Sequence, residues 1–576
     1  MKKIYTSLFI LIFVFAGTSL HAQYSRYIIQ LKDKNGTPYT IGNPTAYLSA
    51  KSIARRIRYN INVDSTDLPI TPAYIDSIRL VPNVTILNNS KWLNQVCIQT
   101  TDPAALAKIN TFPFVKASNP IAVAPNLINP PTNNKFDGIN PIGITRPPDV
   151  VASPFGVNGV TGINDFFNYG NNFPQVHIHE GEYLHNNGFH GEGMTIAILD
   201  AGFLNYLTNP VFDSIRLQNQ ILGTWDYVAN EQSVNEDNAH GGYCLSTIAA
   251  NSPGSMVGTA PKAKFWLFRT EDVATEYPVE EQNWVAAAEF ADSVGVDLIT
   301  SSLGYCNFDD PSFNHSYAQR DGKTAIISIG ASLAVKKGIL VTNSAGNSGN
   351  NPTDLKFVIC PADADNVLAI GAVNSSGVIG GFSSWGPNGA GELKPNVVSV
   401  GVGAIVALPN GTPAAGNGTS FSNPNICGLI TCLWQAFPEF NNLEIIDAVQ
   451  KSSSQYNTPD NHYGYGIPNM RIAYQYLLQK RISNNYLKIL GNNFIKAFPV
   501  PFNDNFTVLV KAPLTGRASL RLLDMNGALI ETQVADIQQD NLYTLSFSKA
   551  NQLSKGVYTI QYMDGKNKAS LRIVKQ

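Results

Sequence analysis

The sequence predicts three folded parts: a small α+β unit, a doubly wound α/β domain on a parallel sheet, and a small all-β sandwich. Three observations carry this. At 576 residues the chain exceeds what a single core supports. Its middle holds short, continuous apolar runs separated by helical patterns, as expected of parallel strands buried on both faces. Its C-terminal part alternates apolar and polar residues with period two between hairpin turn signals.

Composition narrows the function classes. A net charge of -2 offers no basic footprint for nucleic acid. Six cysteines in so long a chain do not make a disulfide scaffold. Cys244, Cys427 and Cys432 fall in helical patterns and read as buried small hydrophobes, while Cys306 with Cys360 is a candidate bridge.

Residues 1–22 read as a secretory signal peptide: Met1-Lys2-Lys3, an apolar segment from Ile4 to Phe15, then small residues up to Ala22. The apolar segment is shorter than the ~20 residues a membrane span needs. The mature protein is therefore expected to be exported and soluble.

Residues 24–124 form the first unit. Arg26 to Leu31 reads as a strand, followed by a turn at Lys34-Asn35-Gly36. A helix is expected from Asn43-Pro44, with Leu48, Ile53 and Ile57 on one face and Lys51, Arg55, Arg56 and Arg58 on a solvated face. Further helices are expected over Thr71 to Leu80 and Asp102 to Ile109, with strands at Val84 to Leu87 and Gln95 to Gln99. Residues 125–175, rich in Asn, Pro and Gly, read as a linker or processing region.

Residues 176–481 carry the α/β pattern. Strands are expected at Thr195 to Leu199, Phe265 to Phe268, Leu298 to Thr300, Ile339 to Val341 and Val367 to Ile370, with helices over Glu280 to Val294 and Thr324 to Lys337. Ligands of such a sheet sit beyond the C-terminal strand ends. From 487 to 576, strands at Phe506 to Val510, Ser519 to Leu523 and Tyr558 to Tyr562, with Asn526-Gly527 and Asp564-Gly565 turns, fit a sandwich.

Four positions could do chemistry. Asp200 follows the strand Thr195 to Leu199, at a ligand-binding strand end. His240 opens a helical run and is a natural general base near neutral pH. Asn347, on the Gly-bounded turn Ala345-Gly346-Asn347-Ser348-Gly349, can donate to an oxyanion. Ser420 lies in Gly418-Thr419-Ser420 at the mouth of an apolar run read as a buried central helix, whose free amides can hold an anion. Each alone has a plain structural alternative: a cap, a structural histidine, a turn.

Together and in this order they resemble the subtilisin-like serine peptidases. Supporting residues are Ser302-Leu303-Gly304, Phe382-Ser383-Ser384-Trp385-Gly386-Pro387, Lys394-Pro395-Asn396-Val397-Val398 and Pro424. The resemblance implies a secreted serine endopeptidase in which Ser420 is nucleophile, His240 general base, Asp200 its orienting partner and Asn347 an oxyanion donor. Ser302, Leu303, Gly304, Ala345 and Gly346 would bind the substrate, the first three by pairing with its backbone. No cofactor is required; structural calcium is compatible with the family, its ligands unassigned. Ala201 and Gly242 stand where many members carry Ser or Thr, Asn396 stands where Asp is usual, and Ile359 lies near a pocket-wall glycine of the family.

The resemblance also gives the flanking parts roles. Residues 24–124 look like a subtilase propeptide, a foldase and temporary inhibitor. Residues 487–576 are similar to the type IX secretion sorting domain through Ala497 to Asn503, Asp524-Met525-Asn526-Gly527, Leu553 to Tyr558 and Val574-Lys575-Gln576. The expected partners are polypeptide substrates, the chain's own propeptide and the secretion machinery, with the product a monomer that is secreted or held at the cell surface. Two rivals remain: a zinc site in the cluster His177, His179, Glu180, Glu182, His185 and His190, and a non-catalytic binding or adhesin protein on a peptidase scaffold.

Overall fold

The computed structural model of the chain describes residues 24–123, 141–143, 165–236 and 238–576. The signal segment and most of the linker lie outside the described residues. Tyr474–Gln576 form a compact unit apart from the rest of the chain.

The first unit runs β1 (Tyr24–Leu31), α1 (Ala50–Tyr59), α2 (Pro72–Arg79), β2 (Thr85–Ser90), β3 (Gln95–Gln99), α3 (Pro103–Asn110) and β4 (Val115–Val123). The strands make an antiparallel sheet in the order β2-β3-β1-β4. Alternation divides its side chains between two cores. Ile29, Val96 and Ile98 meet Ile78 and Ile109 from α2 and α3. Ile28, Cys97, Ile121 and Ala122 face Tyr277 and Val279 of the next domain.

Helix α1 departs from the sequence reading. Asn43-Pro44 opens only a short 3-10 helix, Pro44–Ala46, and α1 starts six residues later, after Ser49, whose hydroxyl accepts from the Ser52 amide. Its arginine face is not solvated: Arg55 and Arg56 are 5% and 2% exposed, whereas Ile57 is 76% exposed. The partner that buries them, Asp292, is remote in sequence and invisible to a helical-wheel argument.

The second domain contains β5 (Thr195–Asp200), β6 (Ile221–Asp226), α4 (His240–Ala249), β7 (Lys264–Arg269), α5 (Pro278–Val294), β8 (Leu298–Ser301), α6 (Ile326–Lys336), β9 (Leu340–Ser344), β10 (Leu368–Val373), β11 (Val397–Val400) and α7 (Thr419–Ala436). Its seven strands lie in the order β11-β10-β9-β8-β5-β7-β6, and every neighbouring pair is parallel. The five predicted apolar runs are its inner strands. The two edge strands were not foreseen: β6 is half exposed, so Ile221–Asp226 carries no continuous apolar run. Chain order reverses between β5 and β8, which opens a crevice beyond their C-terminal ends.

Every residue of α7 except Gln435 is buried. A side-chain carbon on Gly428 would lie 2.0 Å from Thr259 Oγ1, so glycine is what lets this helix pack so deeply.

The histidine-rich segment is folded into the domain rather than along its surface. His177 pairs with Glu182 at 2.6 Å, His179 bonds Pro468 O and Ser399 Oγ, and His185 bonds Tyr169 Oη and Thr259 O. Among the described residues His177 Nε2 is buried without a hydrogen-bond partner, but the rings engage separate partners, and the segment supplies none of the metal-ligand clusters found there. Zinc has no site there.

Burial pushes His179 and His185 down to about 4. Both are neutral in the folded chain, while unfolded imidazoles charge below ~6.5. Stability is therefore lost as pH falls from ~6.5 to ~4, by up to about 3 kcal/mol per histidine. Calorimetry of a Ser420→Ala chain should show a falling Tm across this window, with a shallower slope in His185→Gln; equal slopes would contradict this account.

Cys306 and Cys360 are both free thiols. The residue paired with Cys360 is Tyr305, through Tyr305 N–H to Cys360 O at 2.8 Å and its reciprocal at 3.1 Å. Neighbouring residues of an extended segment face opposite ways, so Cys306 is turned from its candidate partner.

The C-terminal unit places Ile495–Phe498, Thr507–Lys511 and Leu542–Ser546 in one sheet, and Gly516–Leu523, Leu529–Ile537, Gly556–Met563 and Lys568–Lys575 in another. Val508, Val510, Leu520, Leu522, Ile560 and Tyr562 share its core. The Asn526-Gly527 and Asp564-Gly565 turns join adjacent strands, as their sequence predicts. No helix among the described residues is long and apolar enough to cross a membrane.

Candidate active site

The crevice beyond β5 and β8 collects the predicted residues. Asp200 ends β5, fully buried, and its Oδ1 accepts from the Ala201 amide and faces His240 Nδ1, each at 2.7 Å. Its Oδ2 is buried without a hydrogen-bond partner among the described residues; Ala201 has no hydroxyl to offer it. His240 begins α4, where the Asn238 side chain accepts its backbone N–H at 2.8 Å. The carboxylate fixes one edge of the imidazole, and the Asn238 cap fixes the backbone that carries it.

Ser420 sits in the first turn of α7, 2% exposed. Its hydroxyl donates to Ser302 O at 3.4 Å, a loose bond of the kind that catalytic groups show without substrate. Cys244, one turn along α4, ties the histidine to the serine: its Sγ lies 4.0 Å from His240 Nδ1 and donates to Ser420 O at 3.3 Å. Burial pushes this thiol well above its ordinary range, so it behaves as a packing group.

Asn347 is exposed at the rim, and Thr419 orients it. The Thr419 amide and hydroxyl both donate to Asn347 Oδ1 at 2.9 Å, which leaves the amide nitrogen to face the cleft. Thr419 Oγ1 also accepts from Gly346 N at 3.2 Å. Gly346 has φ 114°, and a side-chain carbon there would lie 2.7 Å from Ser384 Oγ, so the turn demands glycine.

A cleft of about 150 Å³ runs past Ser420, lined by Ser302, Leu303, Gly304, Ser344, Gly346 and Asn347. The Ala345 side chain turns inward to Val358, Ala362 and Ala369. Ile359 narrows the cleft: a carbon added to Gly304 would lie 2.4 Å from its Cδ1, and one added to Gly346 3.3 Å.

Glu271, buried, and Glu276, half-buried, also line the cleft. Sequence reading missed both, because they stand on an irregular stretch after β7. A larger cavity of about 490 Å³ beside Asp365, Lys394 and Asp447 contains none of these residues. Its lysine is engaged by Ala364 O and Val367 O.

A parallel α/β fold with a buried Asp–His pair and a helix-mouth serine in one crevice defines a serine-hydrolase class. The sequence comparisons agree. Residues 191–466 match the Subtilase family, residues 26–136 the peptidase S8 propeptide domain of Bacteroidota, and residues 496–576 a secretion system C-terminal sorting domain. Subtilisin amylosacchariticus from Bacillus subtilis subsp. amylosacchariticus is 30% identical over 295 residues, 51% of this chain and 68% of the relative. The same figures hold for subtilisin E of Bacillus subtilis strain 168. Subtilisin Savinase of Lederbergia lenta is 27% identical over 290 residues, 50% of this chain and 93% of the relative. MycP1 with its N-terminal propeptide removed overlays with a TM-score of 0.42 at 20% identity, covering 52% of this chain and 96% of that one.

The chain belongs to the subtilase family. It is a serine endopeptidase made with a propeptide and exported by way of a type IX sorting domain to the cell surface or medium.

Proposed function

We propose that Ser420 is the nucleophile, with His240 as its general base and Asp200 holding the imidazole. The buried Asp200–His240 contact at 2.7 Å, beneath the cleft that contains Ser420, carries this reading. Ser420 Oγ attacks the scissile carbonyl while His240 Nε2 takes its proton; His240 then gives that proton to the leaving amine. Water enters by the same base to release the acyl group.

Labelling of the propeptide-free protein with a fluorophosphonate tests this. The label should map to Ser420, be absent in Ser420→Ala and weaken in His240→Ala. No label would favour the non-catalytic scaffold.

Asn347 donates its Nδ2 to the oxyanion, with Thr419 as its positioning residue. Asn347→Leu is expected to lower kcat by about 10²–10³ with little change in KM, a magnitude known from a relative in this family. A loss below tenfold would remove Asn347 from this role.

The narrowed cleft points to small residues at the substrate position before the scissile bond. Ile359→Gly is expected to raise kcat/KM for a phenylalanyl over an alanyl peptide by about 10–200-fold. An unchanged ratio would show that Ile359 does not set this pocket.

For calcium, the one all-oxygen cluster among the described residues is Glu271, Glu276 and Glu280, whose carboxylates lie within 4.8 Å. Oxygen donors suit that ion. However, Glu280 already accepts from the Asp272 amide at 2.8 Å and the Tyr277 amide at 3.4 Å. The cluster does not fit a calcium cage.

A further inference from the structure

The propeptide meets the peptidase domain in two places. One is the sheet surface: Glu289 of α5 accepts from the Ser90 hydroxyl and from the amides of Lys91 (2.7 Å) and Trp92 (3.1 Å), and Gln95 bonds Gln282 at 2.6 Å. The other is built by α1, inserted between β1 and α2, and reaches the far ends of α5 and α6.

At that second place Arg55 joins both helix ends. It donates to Val296 O just past α5, to Asp292 Oδ1 at 2.5 Å, and to Lys337 O just past α6 at 3.1 Å. Arg56 grips the same carboxylate, at 2.8 Å and 3.1 Å, and reaches Asp67 at 2.7 Å. Lys337 answers Asp67 at 2.9 Å and Asp64 at 3.1 Å. Lys51 bonds Asp297 at 2.6 Å, and Ser49 N–H bonds Ser293 O at 2.9 Å.

The arrangement is matched to guanidinium. Helix C-termini present unsatisfied carbonyls and partial negative charge, and the last turn of α5 contains no basic residue of its own. Asp292 adds a full charge where the dipole disfavours one, so cations must come from elsewhere. Burial would raise the Asp292 carboxyl, but the two arginines override it and hold it low. A planar fork suits such bidentate sites better than an ammonium. None of these residues lines the substrate cleft.

We propose that the C-terminal ends of α5 and α6, centred on Asp292, form a guanidinium-binding anchor for the Arg55–Arg56 pair of α1. This anchor keeps the propeptide on the enzyme after the chain between them is cut, independently of the substrate cleft. The inference rests on the inhibitor role of residues 24–123 and names the contact through which that role outlasts cleavage. A helix with two adjacent arginines is the partner this surface selects.

The test uses the full chain with Ser420→Ala and a recognition sequence for a site-specific peptidase inserted between residues 124 and 140. After cutting, the two pieces should co-elute in size exclusion and stay together as sodium chloride is raised, because buried ion pairs are weakly screened. In Arg55→Ala/Arg56→Ala the propeptide should elute alone, with Kd raised at least about 100-fold. Asp292→Asn should reproduce the loss from the enzyme side.

If the double variant fails to fold, Arg55→Lys decides. It keeps the charge but loses the fork, and should weaken binding about tenfold. Parent-like retention in either variant would overturn the anchor. With Ser420 restored, activity that does not rise when the propeptide leaves would overturn the inhibitor reading and leave the anchor standing.

Discussion

A Ser420→Ala chain is expected to lose about 10⁶-fold in kcat and to leave its propeptide uncut, the magnitude being one measured on a relative in this family. The loss is large because Ser420 and His240 act as a unit in the proposed mechanism. Without the hydroxyl, the imidazole has no proton to take and the acyl-enzyme cannot form. Residual turnover, on the order of 10³–10⁴ over water, should survive through the Asn347 and Ser420 backbone donors, which the substitution leaves in place. His240→Ala should be about as damaging, and the two losses should not add. Kinetics on a short peptide would check this, with processing followed on a gel. A Ser420→Ala chain that retained more than a hundredth of parent activity would rule this serine out.

Asp200→Asn is expected to cost about 10⁴-fold in kcat while leaving the fold and KM nearly unchanged. Asp200 Oδ1 faces His240 Nδ1 at 2.7 Å, and in the proposed mechanism the carboxylate keeps the proton on Nδ1 and the Nε2 lone pair toward the serine. An asparagine amide turned the other way donates to Nδ1 instead, and the proton moves to Nε2, where it cannot accept from Ser420. A carboxylate also stabilises the imidazolium that forms, which an amide does not. The Ala201 amide is bonded to the same oxygen and loses its acceptor in that orientation, so a stability loss of about 1 kcal/mol is expected beside the kinetic one. A kcat loss below a hundredfold in a folded variant would mean that Asp200 caps a strand and does no more.

The acid lability of the buried histidines and the catalytic losses are separable by pH. His179 and His185 act on stability between ~4 and ~6.5, while the serine and aspartate effects are read as rates on a folded chain. Measuring kcat near pH 8 keeps the two apart.

Some of this molecule was legible because its signals are local. The inner strands announced themselves as continuous apolar runs, since both faces of a parallel sheet are covered. Helix α7 was legible for the same reason, and Ser420 was placed at its mouth by the small residues before it. Turn residues such as Asn526-Gly527 located the C-terminal hairpins. Asp200, His240, Asn347 and Ser420 stood out as candidates because each lies in a short motif whose backbone demands are written in its neighbours.

What only the tertiary structure decided are the encounters between segments far apart in the chain. Arg55 and Arg56 look like a solvated face until α5 brings Asp292 against them. Glu271 and Glu276 stand on an irregular stretch, and only the packing of that stretch puts their carboxyl groups in the cleft. Cys306 misses Cys360 because the register pairs Tyr305 with it. Periodicity and motif report which groups a segment offers; a charge, a carbonyl or a cavity wall takes its meaning from the group that folding sets opposite it.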